Sequence, residues 1–258
     1  MSGVRTSFPI MGSMASIAVA EHSLGEIDAA INAAKSSLEA DEQRFSHYRV
    51  DSDIERWVRQ EQISSVARHE IDEVIAHCLE LRERSGGAFS YRNPQGDRLD
   101  TAGFVKGWAI ERAQDAMRRL GVSDACLGIG GDTVCWGRAQ IDRPWRIAIA
   151  DPTRDTGVAA IVEFPEGGAV ATSGTAERGD HIWRLGHTKE DDLVSFTVVG
   201  PSITWADAYA TAGFAMGLAG TAWVAQQVGY SSISVTPVGH VFGDAAVLQP
   251  QEFVSQQQ

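Results

Sequence analysis

Ala125–Gly137, ACLGIGGDTVCWG, is where the chain changes character. Two short β-like runs, Ala125–Ile129 and Thr133–Gly137, flank Gly130-Gly131-Asp132, and apolar runs bounded by a glycine turn read as strands. Most of what precedes this stretch has helical period. Leu24–Tyr48 carries Leu24, Ile27, Ala30, Ile31, Ala34, Leu38 and Phe45 near helical spacing. Ser52-Asp53-Ile54-Glu55 has capping-box spacing and predicts a short second helix. His69–Arg84 sets Ile71, Val74, Ile75, Cys78, Leu79 and Leu81 on one side before Ser85-Gly86-Gly87 stops it. A further helix runs from about Gly103 to Leu120 and is closed by Gly121.

Beyond Gly137 the expected elements are mainly strands: Trp145–Ala150, Ala159–Phe164, Ala169–Thr172, Val194–Val199, Ile233–Val235 and Ala245–Leu248. Two helices interrupt them, Ala206–Gly217 and Ala222–Val228, and a strand pair, Val4–Ile10 and Ser13–Ala20 joined at Met11-Gly12, opens the chain. Helices grouped ahead of strands favour an α+β fold over a doubly wound one. The expectation is a mixed, largely antiparallel sheet flanked by helices, one compact unit over residues 1–250 with a frayed tail over 251–258.

The 258 residues carry a net charge of −12, which argues against nucleic-acid binding because that needs clustered Lys and Arg. An anionic ligand would need a local device, such as a metal or a backbone nest. The three cysteines, Cys78, Cys126 and Cys135, have no CxxC spacing and read as buried small hydrophobes in a reducing compartment. A Cys126–Cys135 bridge across a hairpin is the less favoured alternative. The N-terminus lacks a basic start before a long apolar run, and no segment reaches membrane-span length. The expectation is a cytoplasmic protein with no membrane anchor.

Four stretches can carry chemistry, and each has a plain structural alternative. In ADAYATAGFAMG (Ala206–Gly217), Asp207 and Thr211 fall one helical turn apart on one face, among small residues. That is either a site for a hard cation, which takes oxygen ligands, or a packed helix. Gly130-Gly131-Asp132 is either backbone NH exposed to a phosphate or a hairpin turn with Asp132 as a turn residue. In Leu99–Gly107, Asp100 or Thr101 is placed to cap a helix, and Lys106 sits near its start, against the macrodipole preference. Thr172-Ser173-Gly174 reads as a turn ahead of His181, which could hold a phosphate or shuttle a proton, or be an incidental loop histidine. No HExxH, GxSxG or Walker pattern occurs.

Taken in order, these stretches resemble the ApbE family of FAD:protein FMN transferases. The matching pieces are MGSMASIAV (11–19), SHYRVDSDI (46–54), SGGAF (85–89), LDTAGFVKGWAIERA (99–113), LGIGGDTVCWG (127–137), WRIAIADP (145–152), AVATSGTAERG (169–179) and VSFTVVGPSITWADAYATAGFAMG (194–217). The resemblance implies a divalent cation, usually Mg²⁺, held by Asp207, Thr211 and a main-chain carbonyl at Gly103. It implies FAD contacts around Ser46 and Tyr48, at Gly130, Gly131 and Asp132, at Thr172, Ser173 and Gly174, and at Lys106. His181 and Asp207 are the implied catalytic pair. The partners implied are FAD and an acceptor flavoprotein with a target Thr or Ser. Two departures stand out: His181-Ile182 is followed by WRLGH where the family carries Asp-Pro and Thr-Gly, and the Phe89–Leu99 segment is short. They leave FAD hydrolysis to FMN and AMP, or FAD binding without catalysis, as alternatives to transfer.

Overall fold

In a computed structural model, residues 3–93, 96–174 and 193–243 are described. Ten strands and six helices follow one another as β1 (Val4–Ile10), β2 (Ser13–Val19), α1 (Ile27–Phe45), α2 (Asp53–Val58), α3 (Ser65–Arg84), α4 (Ala102–Arg119), β3 (Ala125–Ile129), β4 (Asp132–Trp136), β5 (Trp145–Ala150), β6 (Val158–Phe164), β7 (Gly167–Gly174), β8 (Ser195–Gly200), α5 (Ile203–Met216), α6 (Ala219–Val224), β9 (Ser231–Val235) and β10 (Val241–Gly243) among the described residues. Eight strands form one sheet in the order β1-β2-β3-β4-β7-β8-β9-β10, and β5 pairs with β6 alone. Every pairing among the described strands is antiparallel, so the sheet is less mixed than expected.

The two faces of the sheet follow from strand period. On β7, Ala169 and Ala171 face the main core with the helices, while Val170 faces a second cluster with Ile149, Val162 and Phe164 of the β5–β6 hairpin. Pro9 lies in β1, an edge strand, where a missing N–H breaks no inner ladder. The β1–β2 turn has φ of +50° at Met11 and +68° at Gly12, as a two-residue hairpin turn of the primed type requires. The Met11 N–H donates to Glu42 Oε1 of α1 at 2.8 Å.

The helices bury one stripe each, except α5. In α3, Ala67, Ile71, Val74, Cys78 and Leu81 are buried at alternating steps of three and four. That helix starts four residues before the expected His69, because the Ser64 hydroxyl accepts from Ala67 N and caps it. The Ser52 cap of α2 is present as the spacing predicts. Helix α5 is buried nearly all round, from Ile203 to Ala215, which marks it as the central helix. It begins at Ile203, three residues before the expected start, because Ser202 caps it and Glu111 of α4 accepts from Ser202 Oγ and Thr204 N. Helix α6 begins before the expected Ala222, since Gly220 packs inside it: a Cβ there would meet the Gly213 carbonyl at 2.4 Å.

Two local expectations are corrected. Thr172-Ser173-Gly174 is not a turn, because all three residues pair with Thr197, Phe196 and Ser195 as the end of β7. Asp132 is not a turn residue: it opens β4 opposite Ile129, and the turn is Gly130-Gly131 with φ of +60° at Gly130. Strand β10 was not expected. The anticipated strand Ala245–Leu248 and the 251–258 tail lie outside the described residues. No helix among the described residues is long and apolar enough to cross a membrane.

A charged cluster joins α1, α3 and α4. Arg44 pairs with Glu70, and Arg112 reaches Glu70 at 3.1 Å and Asp41 at 3.4 Å. Asp41 is fully buried, and neither carboxylate oxygen has a hydrogen-bond donor. Desolvation by burial therefore outweighs the attraction of Arg112 and Arg44 and pushes its carboxyl up to about 6. In the pH window between the ordinary carboxylate value and about 6, the folded state holds a proton that the unfolded chain has released. Stability from this group is thus full at low pH and lost as pH rises through about 6. Urea unfolding of wild type and Asp41→Asn should diverge across that window, the variant gaining on the order of 3 kcal/mol relative to wild type between pH 4 and 7. Parallel pH profiles would contradict this account of Asp41.

Candidate functional site

The site is built where α4 lies against α5. Gly107 of α4 donates its N–H to Asp207 Oδ2 of α5 at 2.8 Å, in the interior. Only glycine permits this approach, since a Cβ at 107 would meet the Ile203 carbonyl at 2.6 Å and Asp207 Cβ at 2.9 Å. In a regular helix the Gly107 N–H bonds to the carbonyl four residues back, at Gly103. A donor drawn to Asp207 leaves acceptor capacity at that carbonyl.

One turn along each helix the contact repeats. A Cβ on Gly103 would meet Thr211 Cγ2 at 2.9 Å and Oγ1 at 3.2 Å, with the Phe89 ring at 3.3 Å. The Thr211 hydroxyl lies 3.3 Å from Ser173 Oγ at the end of β7. Gly103, Ser173, Asp207 and Thr211, residues from three separate stretches, therefore lie side by side. Their donors are a carboxylate, hydroxyls and a backbone carbonyl. Among the described residues no group of three or more His, Cys, Asp or Glu side chains is placed to hold a metal. The oxygen set with its single carboxylate suits a hard cation that completes its shell with water or phosphate.

Beside it lies a buried ion pair. Lys106 Nζ is 2.6 Å from Asp132 Oδ2, with the Asp132 side chain fully buried and that of Lys106 partly exposed. Asp132 Oδ1 also accepts from Thr172 N at 2.9 Å, and Thr172 Oγ1 meets Thr197 Oγ1 at 2.8 Å. Asp132 thus ties α4 to β7, a role beyond that of a turn residue, and Lys106 is held by protein charge. Gly174 closes β7 where a Cβ would meet the Val194 carbonyl at 2.5 Å.

Ser46 and Tyr48 lie at a margin of the site. The Ser46 hydroxyl accepts from Tyr48 N at 3.3 Å, and Tyr48 is 95% exposed. Between them is a residue that sequence reasoning passed over. His47 Nε2 accepts from Thr101 N at 3.3 Å at the start of α4, and its Nδ1 lies 2.8 Å from Glu55 Oε1. Since Nε2 accepts a backbone N–H, the ring proton sits on Nδ1 and faces Glu55. The His47 carbonyl takes a further bond from Arg98 at 2.8 Å. Nothing in the local sequence flags this, because Thr101 lies 54 residues away and Glu55 lies on a separate element, α2. Asp100, not Thr101, supplies the side-chain cap of α4, accepting from Ala102 N at 3.1 Å. His181 lies outside the described residues.

An open cavity of about 580 Å³ is lined by Pro9, Ile10, Met11, Gly12, Ser13, Met14 and Glu42. The Gly130 N–H bonds to the Met14 carbonyl at 3.1 Å, so the glycine turn borders this cavity.

A sequence model of the ApbE family matches residues 11–93 and 90–233, most of the chain. The chain belongs to the ApbE family. An FAD:protein FMN transferase of Salmonella typhimurium is 26% identical over 175 residues, 64% of this chain and 50% of that protein. One of Escherichia coli is 29% identical over 155 residues, 56% of this chain and 44% of that protein. The chain thus spans about half the length of the curated relatives it matches. The crystal structure of the apo flavinyl transferase ApbE of Pseudomonas stutzeri superposes with a TM-score of 0.76 at 25% identity, covering 95% of this chain and 96% of that one. The ApbE fold extends over the main sheet and the helices that carry the site.

Gly107→Ala tests the α4–α5 contact. Alanine is the better helix former by about 0.5–1 kcal/mol, yet its methyl must separate the helices, and overpacking of this kind costs about 1–3 kcal/mol. A net loss of stability in urea unfolding is expected, and an unchanged midpoint would show that the close approach is dispensable.

Proposed function

We propose that this protein is an Mg²⁺-dependent FAD:protein FMN transferase that attaches FMN to a Thr or Ser hydroxyl of a partner flavoprotein and releases AMP. The observation that carries this reading is the meeting of Asp207 and Thr211 on α5 with Gly103 on α4, where the Gly107 N–H is drawn to Asp207. Membership in a family whose curated members bear that activity supports it.

The chemistry agrees with the charge balance. FAD carries an anionic pyrophosphate, and the chain has a net charge of −12. Mg²⁺, when bound, neutralises charge developing on the phosphates and orients them. Asp207, Thr211 and the Gly103 carbonyl are the protein oxygens that would hold it. Asp132 and Lys106, locked together, keep the end of β7 and the first turns of α4 in register, so that Ser173 stays against Thr211. The cavity beside Met11 has the size of a small-molecule site and offers room for part of FAD, with Gly130 and Gly131 on its border. We assign the exposed Tyr48 ring to contact with the flat ring system of FAD, a reading its exposure supports. In the transfer step an acceptor hydroxyl attacks the FMN-side phosphorus, its P–O bond forms, and the bond to the AMP oxygen breaks. His181 is the residue assigned to receive the hydroxyl proton.

Incubation with FAD, Mg²⁺ and an acceptor flavoprotein should yield fluorescent, covalently labelled acceptor and an equal amount of AMP. FMN and AMP released without acceptor would replace transfer with hydrolysis, and intact FAD throughout would reduce the role to binding. Asp207→Asn keeps an oxygen for the Gly107 N–H while removing the charge. It should melt near wild type and lose more than about a hundredfold in labelling rate, the scale of several kcal/mol of metal stabilisation. Labelling at full rate in that variant would remove Asp207 from the cation site.

A further inference from the structure

Two thiols on the β3–β4 hairpin stand outside the site. Cys126 and Cys135 lie directly opposite each other in the strand register, with Sγ atoms 2.9 Å apart, and both are free. They share one face of the sheet, the face turned from the helices, since Ala125, Leu127, Val134 and Trp136 fill the helical core. Directly opposed residues in an antiparallel pair have Cα atoms about 4.5–5.5 Å apart, inside the range of about 4.4–6.8 Å that a disulfide spans. Closing the sulfurs from 2.9 Å to the bonded length of about 2.05 Å needs less than 1 Å of movement. Cys126 is partly exposed, Cys135 is 2% exposed and Cys78 is fully buried.

We propose that Cys126 and Cys135 are a thiol–disulfide modification site, oxidised to a cross-strand disulfide by low-molecular-weight disulfides and reopened by thiols. The exchange balances without another reactant. The Cys126 thiolate attacks one sulfur of R–S–S–R, the S–S bond breaks, and RS⁻ leaves and is protonated. Cys135 then loses its proton to solvent and attacks Cys126 Sγ, expelling the second RS⁻. Two protein thiols are oxidised and one small disulfide is reduced to two thiols. The order follows from exposure, because Cys126 is the sulfur a solvent-borne disulfide can reach. The hydrogen bond to Cys126, followed by burial, holds the Cys135 thiol far above its ordinary value. The Cys126 contribution ends once that sulfur is in a mixed disulfide, and Cys135 is then freed to act.

The bond would close a covalent ring around the Gly130-Gly131 turn, three residues from Asp132 on the same strand. Redox state would thereby reach the strand that holds Lys106. This inference does not depend on the proposed transferase activity.

The test treats the folded protein with excess oxidised glutathione and measures intact mass. Wild type should lose only the mass of the two thiol hydrogens, and on denaturation only Cys78 should alkylate. Reduction by dithiothreitol should restore all three thiols. Cys135→Ser should instead trap one glutathione on Cys126, while Cys126→Ser stays unmodified. Peptide mapping of oxidised wild type should recover the Cys126–Cys135 linked pair, a readout that needs no variant. Three alkylatable thiols in treated wild type, or a glutathione adduct that persists there, would overturn the proposal.

Discussion

The closeness of α4 to α5 is the constraint on which the candidate site depends. A buried carboxylate, Asp207, accepts a backbone N–H from Gly107, and no side chain fits between. A buried carboxylate without a donor would be expensive, so this bond both stabilises the helix pair and fixes the rotation of each helix. With rotation fixed, Thr211 comes to rest over Gly103 and against Ser173 of β7. The many alanines of α5 are the condition for this geometry, because small side chains let strands and helices close on it from every side.

Charge is arranged to the same end. Lys106 reaches Asp132 inside the protein, and Arg44 and Arg112 are drawn to Asp41 and Glu70 between the helices. Lys106, Arg44 and Arg112 are thus committed to internal acids. In a chain with a net charge of −12, the proposed transfer from FAD would leave the neutralisation of its pyrophosphate to the proposed cation among the oxygens around Asp207. Asp41 illustrates the opposite situation, a carboxylate with no hydrogen-bond donor, whose burial, together with the charge of Glu70, outweighs the attraction of Arg112 and Arg44.

The margin of the site has its own anchor. His47 joins the end of α1 to the start of α4 through Thr101, with Glu55 holding its other nitrogen. Together with the Arg98 bond to the His47 carbonyl, it sets where Ser46 and Tyr48 emerge beside Asp100 and Gly103. The short segment after Phe89 returns to the same corner, where Arg92 bridges Leu99.

The sequence by itself determined the order of the elements up to β9, the α+β class, the Ser52 cap, the β1–β2 and β3–β4 hairpins and the Asp207–Thr211 pairing on one helical face. These are legible because period, capping and glycine turns act over a few residues. It also carried family membership, through collinear stretches that no single spacing would have secured. The tertiary structure alone decided the rest. It extended β7 through Ser173 and Gly174, set Asp132 in a strand against Lys106, and placed Cys126 opposite Cys135 within a movement of under 1 Å of bonding. It brought His47 to Thr101 and Gly107 to Asp207, contacts that span 54 and 100 residues. Such contacts depend on how whole helices and strands pack, and neither propensity nor local pattern records which partner will be there.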